Sequence, residues 1–167
     1  MKNETKGIAP LIIAIVVIVV VAVAGVGIFV ATRGGTSGGG GGGGGNAGSA
    51  TSLSFDMTDT ASASTLTFQA KDIGSSNMKI RVAGTAAGYD MIYIVNGATS
   101  QAWMYTAATG WLDMSSQFST LWDTWNSALT GYQTNLAGWT SGNITVGTVT
   151  ISNIQVNPTL ADSLFTH

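Results

Sequence analysis

From Ser52 to Met57 apolar and polar residues alternate, with Leu53, Phe55 and Met57 on one side of the chain and Ser52, Ser54 and Asp56 on the other. That period of two predicts a half-buried β-strand, because successive strand side chains point to opposite faces. Leu66, Phe68 and Ala70 against Thr65, Thr67 and Gln69 predict a second strand, and Met78, Ile80 and Val82 against Lys79 and Arg81 a third. The polar stretch 58–64 separates the first two, and 84–88 forms the loop after the third. Asp90–Gly97 departs from the rule: Met91, Tyr93 and Val95 share one face while Ile92 and Ile94 occupy the other. A strand with two apolar faces belongs in the interior of a sheet, here with Asn96-Gly97 as its turn. Such a strand is most often simply buried on both sides; the sharper reading is that one face meets a helix and the other a ligand or lipid. Ala102-Trp103-Met104-Tyr105 and Gly110-Trp111-Leu112 continue the series, and the short links favour an antiparallel meander.

The period then changes. Phe118, Leu121, Trp122, Trp125, Leu129, Tyr132, Leu136 and Trp139 recur at steps of three and four, the stripe of an amphipathic α-helix near 116–138. Ser115 or Ser116 is the expected cap, Gly138 the expected end and Gly131 a point of bending. Thr120, Asp123, Thr124, Ser127 and Thr134 fall on the wet face. Ile144, Val146, Val149, Ile151, Ile154 and Val156 return to β, as a hairpin around Gly147 or as one bent strand. Pro158 ends it, and Leu160, Leu164 and Phe165 give the tail enough apolar weight to dock. The fold class expected for 49–167 is α+β: a curved antiparallel β-sheet packed on one long amphipathic helix.

Ahead of this domain, residues 8–31 carry no charge. As a helix they would rise about 36 Å, at about 1.5 Å per residue, against a hydrocarbon core of about 30 Å. Residues 1–33 therefore read as a cytoplasmic flank and a transmembrane anchor, with membrane lipid around 8–31. Lys2 and Lys6 precede the span and Arg33 follows it, which keeps the N-terminus inside and exports the rest. Eleven of the fifteen residues in 34–48 are glycine, so this segment reads as a flexible linker with a mean reach of roughly 20 Å. Ala22-Val23-Ala24 offers a small-residue cleavage site for an ordinary secretory signal, so an uncleaved anchor and a cleaved signal are both open.

Composition narrows the chemistry. Residues 49–167 hold three basic and seven acidic side chains, and Lys71, Lys79 and Arg81 are too few for a phosphate-binding patch, which argues against nucleic acid. Thirty-four serines and threonines in that stretch put solubility on hydroxyls rather than ions. Cysteine is absent and the single histidine is His167, so thiolate or imidazole metal sites and a base-activated serine lack their parts. Asp56 and Asp59 form a D-x-x-D pair that falls short of a calcium loop, and the aspartates read as turn residues and caps. No catalytic residue, metal site or cofactor is expected. Asn143-Ile144-Thr145 is a sequon, which makes Asn143 a candidate glycosylation site in an exported domain.

Two family resemblances add to this. Lys6-Gly7-Ile8-Ala9-Pro10 followed by an Ile/Val/Ala helix resembles the class III, prepilin-type signal of archaeal type IV pilin-like proteins. The resemblance implies cleavage between Gly7 and Ile8 with the apolar helix retained. Met78–Val82, Met91–Gly97, Trp103-Met104-Tyr105 and Gly110–Met114 together resemble the strand ladder of exported proteins related to the bacterial lipoprotein carriers, the LolA-like group. That resemblance implies a curved sheet cupping a helix, with an apolar cavity between them for acyl chains. The expected function is a non-enzymatic, membrane-tethered outer-face domain that holds a lipid or another hydrophobic molecule. Met91, Tyr93, Val95, Trp103, Tyr105, Trp122 and Trp125 are the candidate pocket residues. The alternative is a pilin-like structural subunit or surface adhesin assembled through its N-terminal helix, and a third reading is a simple structural or recognition module with a solid core.

Overall fold

A computed structural model describes residues 47–167 except 87, 137, 138 and 140. The anchor expected at 8–31, the processing points at Gly7/Ile8 and after Ala24, and nearly all of the linker lie outside the described residues. Among those described, no helix is long and apolar enough to cross a membrane.

Eight strands form one sheet: β1 Ser52–Asp59, β2 Ser64–Lys71, β3 Lys79–Ala86, β4 Tyr89–Asn96, β5 Gln101–Thr106, β6 Gly110–Asp113, β7 Ile144–Val146 and β8 Val149–Val156. Their spatial order is β6-β5-β4-β3-β2-β1-β8-β7 and every neighbouring pair is antiparallel. β1 to β6 form the meander that the alternation implies. Helix α1, Phe118–Leu136, then carries the chain back over one face, and the β7–β8 hairpin joins the far edge beside β1. The edge strands β6 and β7 have only four and three residues, which limits the length of open backbone offered to a stray strand.

Several boundaries differ from those expected, each for a local reason. The third strand runs on through Gly84 to Ala86 instead of ending in a loop. Gly84 has φ +143, and a Cβ there would collide with the Thr65 carbonyl oxygen, so glycine here allows close approach within the ladder. A short 3-10 turn, Ser115–Gln117, precedes α1, and neither serine caps it through its side chain. Ser115 Oγ instead accepts from the Ala102 backbone N–H at 3.2 Å, while Asp113 Oδ1 takes the Ser115 N–H at 2.8 Å. The helix is continuous across Gly131, and the end expected at Gly138 lies outside the described residues. Val146 pairs with Val149, so the C-terminal β segment is a hairpin closed by Gly147-Thr148, with Gly147 at φ +59.

The core lies between the sheet and α1. Leu53, Phe55 and Met57 from β1, Leu66, Phe68 and Ala70 from β2, Ile80 and Val82 from β3, Met91, Tyr93 and Val95 from β4, and Ala102 and Met104 from β5 are all buried on this inner face. Leu121, Trp125, Leu129, Tyr132 and Leu136 of α1 close over them. Rings link the layers: Phe55 stacks on Phe68 at 4.8 Å, Tyr132 lies 5.1 Å from Phe55 and Trp125 5.9 Å from Phe68. On the solvent side of α1, Thr124, Thr130 and Thr134 return their hydroxyls to the carbonyls of Thr120, Asn126 and Thr130. The helix thereby presents a polar face with a single charge, Asp123.

A second, smaller core covers the outer face. Leu160 and Phe165 bury Ile94, with Ile92, Trp103 and Leu164 packed around them. The second apolar face of β4 is thus met by the chain's own C-terminal segment rather than by a ligand. The segment is pinned along its length. Asn157 Oδ1 accepts from Thr51 N at 2.8 Å, Ser52 Oγ donates to Pro158 O, and both Lys71 and Lys79 reach Asp162 Oδ1, at 3.1 and 2.7 Å. Finally the His167 ring stacks on Trp103 at 3.6 Å.

Hydrogen bonds from Lys79 and then Lys71 hold the Asp162 carboxyl below its ordinary range. A carboxyl with a lowered folded-state pKa contributes stability above its unfolded value, and that contribution is lost as pH falls through the folded value. Acidification below about pH 4 is therefore expected to release the tail. The chain has one histidine, so the ring-current shift of His167 over Trp103 in proton NMR is an unambiguous probe. It should collapse on acidification, and Asp162→Asn should weaken it already at neutral pH; a shift unchanged in both cases would show that the ion pairs do not hold the tail.

Candidate functional site

The seven candidate pocket residues divide between the two faces of the sheet. Met91, Tyr93 and Val95 face α1, where Trp125 covers them, and all four are buried. Trp122 is partly buried at the N-terminal end of α1, stacked on Phe118 at 5.5 Å. It lies over the turn after β4, where a Cβ on Gly97 would strike the Trp122 ring.

Trp103 and Tyr105 sit on the opposite, outer face. Register decides this: Tyr93 stands opposite Met104, while Trp103 stands opposite Ile94 and Tyr105 opposite Ile92. Trp103 packs on the C-terminal segment and Tyr105 lies 5.4 Å from Trp111. Neither can line an inner pocket with Tyr93, because neighbours in one strand point to opposite sides. The inner-face residues of β5 are Ala102, Met104 and Thr106. Alternation within β5 shows that Trp103 and Tyr105 share a face, and the register with β4 decides which face that is.

What composition understated is the methionine content of the inner layer. Met57, Met78, Met91, Met104 and Met114 are all buried in the same core. Methionine is unbranched, polarizable and able to fill irregular space, and it recurs at surfaces that adapt to different apolar partners.

Two polar atoms in this layer stand out. Tyr93 Oη and Trp125 Nε1 are buried and have no hydrogen-bond partner among the described residues. The two rings are 5.8 Å apart. Burial raises the pKa of the Tyr93 phenol strongly, and the Trp125 indole N–H, close to the phenol oxygen though outside hydrogen-bond geometry, opposes the shift only in part. The phenol therefore remains protonated, and both groups can donate. Buried polar groups are normally paired, and each orphan costs about 1–3 kcal/mol. No cation shares this layer among the described residues. Lys71 and Lys79 turn to Asp162, Arg81 donates to Gln69 at 3.2 Å, and His167 lies on Trp103, all on the outer face.

No family model, curated protein or solved structure matches this chain. The site is therefore defined by its own residues. Asp56 accepts from Thr67 Oγ1 and Asn153 Nδ2, both at 2.7 Å, and Asp59 accepts from Ser62 Oγ at 2.6 Å and from Ala61 N. Both aspartates thus tie strands and turns, and among the described residues no three His, Cys, Asp or Glu side chains gather as metal ligands. Asn143 is exposed immediately before the edge strand β7.

Proposed function

We propose that this chain is a membrane-tethered domain of the outer face that holds a lipid or other hydrophobic molecule between α1 and the inner face of the sheet, without catalysing a reaction. The observation that carries the proposal is the inner layer itself, five methionines and five aromatic rings containing two buried donors without partners. A layer built only for rigidity would use branched aliphatics with fixed rotamers and pair its polar atoms. Reorganisation of methionines beneath α1 would admit an apolar guest. The uncharged run 8–31 would hold the domain at the bilayer from which such a guest comes, and the exposed Asn143 would be open to glycosylation on the exported side.

The test uses the full chain. Its run Gly38–Gly45 is a substrate sequence for a glycyl-glycine endopeptidase, which would release the head from protein purified out of membranes. Native mass spectrometry of the released head should show an added hydrophobic mass that disappears on organic extraction. A bare head of uniform mass would overturn the proposal and favour the pilin-like structural subunit, for which the expected findings are Ile8 as the mature N-terminus and filaments lost on deletion of 8–31.

A further inference from the structure

We infer that the guest of the inner layer is an uncharged lipid bearing a carbonyl oxygen, such as an ester or a quinone, and that Tyr93 Oη and Trp125 Nε1 donate jointly to that oxygen. This rests on the hydrophobic-ligand reading above and names the chemistry of its polar end.

An indole N–H is a donor only, and the protonated Tyr93 phenol has one hydrogen to give. Both atoms are buried, their residues being 1% and 0% exposed, and neither has a partner among the described residues. Their rings face each other across the boundary between β4 and α1, tilted by 32°. Such a pair calls for an acceptor, and a carbonyl oxygen has two lone pairs with which to take both hydrogens.

Charge then selects among acceptors. Every described cationic side chain lies on the outer face, so a carboxylate or phosphate placed beside Tyr93 would be a buried anion without a counter-charge. A neutral oxygen carries no such penalty. A plain hydrocarbon could pack against the methionines but would leave both donors unpaired. The layer thus discriminates by polarity at one point and by apolar volume elsewhere, as ligand pockets with few convergent polar groups do.

The test labels the full chain in lipid nanodiscs with three photoactivatable probes of equal length, each with a diazirine in its alkyl chain: methyl hexadecanoate, hexadecanoate and hexadecane. The head is then cut off in the glycine run, and the labelled peptides are mapped. The ester should label inner-face peptides of β4, β5 and α1 more than either other probe. Tyr93→Phe should lower ester labelling about ten-fold, the loss of one hydrogen bond in a dry site, and leave hexadecane labelling unchanged. The same variant should raise the melting temperature of the unloaded chain, because it removes an unpaired hydroxyl. Trp125→Phe is the second variant and should lower ester labelling as well. Equal labelling by ester and hexadecane, insensitive to Tyr93→Phe, would overturn the carbonyl assignment while keeping the hydrophobic pocket; the Trp125 indole donating to the Tyr93 oxygen, or a single water satisfying both groups, would give this outcome. Stronger labelling by hexadecanoate would overturn the neutrality of the ligand. Absence of inner-face labelling by all three would overturn the hydrophobic-ligand reading itself.

Discussion

Phe68→Ala is expected to be among the most destabilising single substitutions in the domain, costing about 3–5 kcal/mol. Phe68 is 1% exposed and sits where three elements meet, stacked on Phe55 and within 6 Å of both Trp125 and Tyr132. Alanine would leave a cavity under the middle of α1 that stiff neighbouring rings cannot collapse to fill. Domains of this size are stable by roughly 5–15 kcal/mol, so the loss is a large fraction of the total. In thermal unfolding of the full chain, followed by near-ultraviolet circular dichroism, the midpoint should fall by roughly 10–20 °C. Phe118→Ala is the control: its side chain is only partly buried at the start of α1, and its effect should be a fraction of that. Equal shifts for the two would mean that the sheet–helix layer is not the main source of stability.

The importance of Phe68 was legible in its alternation with Thr67 and Gln69, and most of the described architecture follows from similar patterns. Periodicity reports which residues share a face within one element, so the strands β1 to β5 and the helix stripe could be read directly. Periodicity is silent on how one strand is registered against the next. For that reason the sequence places Trp103 and Tyr105 with Tyr93, whereas the β4–β5 ladder sets them behind it. The same limit applies to the outer face of β4. Ile92 and Ile94 demanded a cover, but the residues that supply it, Leu160 and Phe165, are more than sixty positions away. The sequence showed that the tail had apolar weight to dock and could not show where. The Tyr93–Trp125 donor pair was harder still, since an unpaired hydrogen bond is a property of assembled neighbours and leaves no trace in composition. Both residues are nevertheless candidates from their apolar setting alone.

The two faces of the sheet also divide the work. On the outer face, the ion pairs to Asp162, the Asn157 side chain and the stacked His167 close the surface with the chain's own terminus. On the inner face the closure is a single helix, reached from β6 on one side and from β7 on the other. A guest entering the domain would find its way under α1 more readily than through a sheet whose other face is strapped. The proposed ligand site therefore lies under a helix that packs on the core and is also tied through Gln133 Nε2, which donates to Ala50 O at 3.2 Å.

Gly84→Ala should damage the sheet itself rather than its cover. Gly84 has φ +143, a backbone conformation that L side chains rarely adopt, and it pairs with Leu66 on β2 and Met91 on β4 in the middle of the meander. An added Cβ would meet the Thr65 carbonyl oxygen and crowd Leu66 Cα at 3.0 Å, and neither is the movable end of a side chain. The strand must either separate from β2 or change its φ, and each route disturbs a ladder that also carries Val82 and Met91 into the core. Strain of this kind costs about 1–3 kcal/mol before any loss of packing, and the total is expected to approach that of Phe68→Ala. Gly88→Ala gives the contrast. Its φ is +82, but nothing lies within 4 Å of its Cβ position, so it carries the conformational cost without the collision. Amide hydrogen exchange separates the two: Gly84→Ala should raise exchange along β2, β3 and β4 together, whereas Gly88→Ala should raise it only close to Gly88. Uniform protection across β3 in the Gly84 variant would show that the ladder tolerates a side chain there, and that close approach to Thr65 is not what requires glycine.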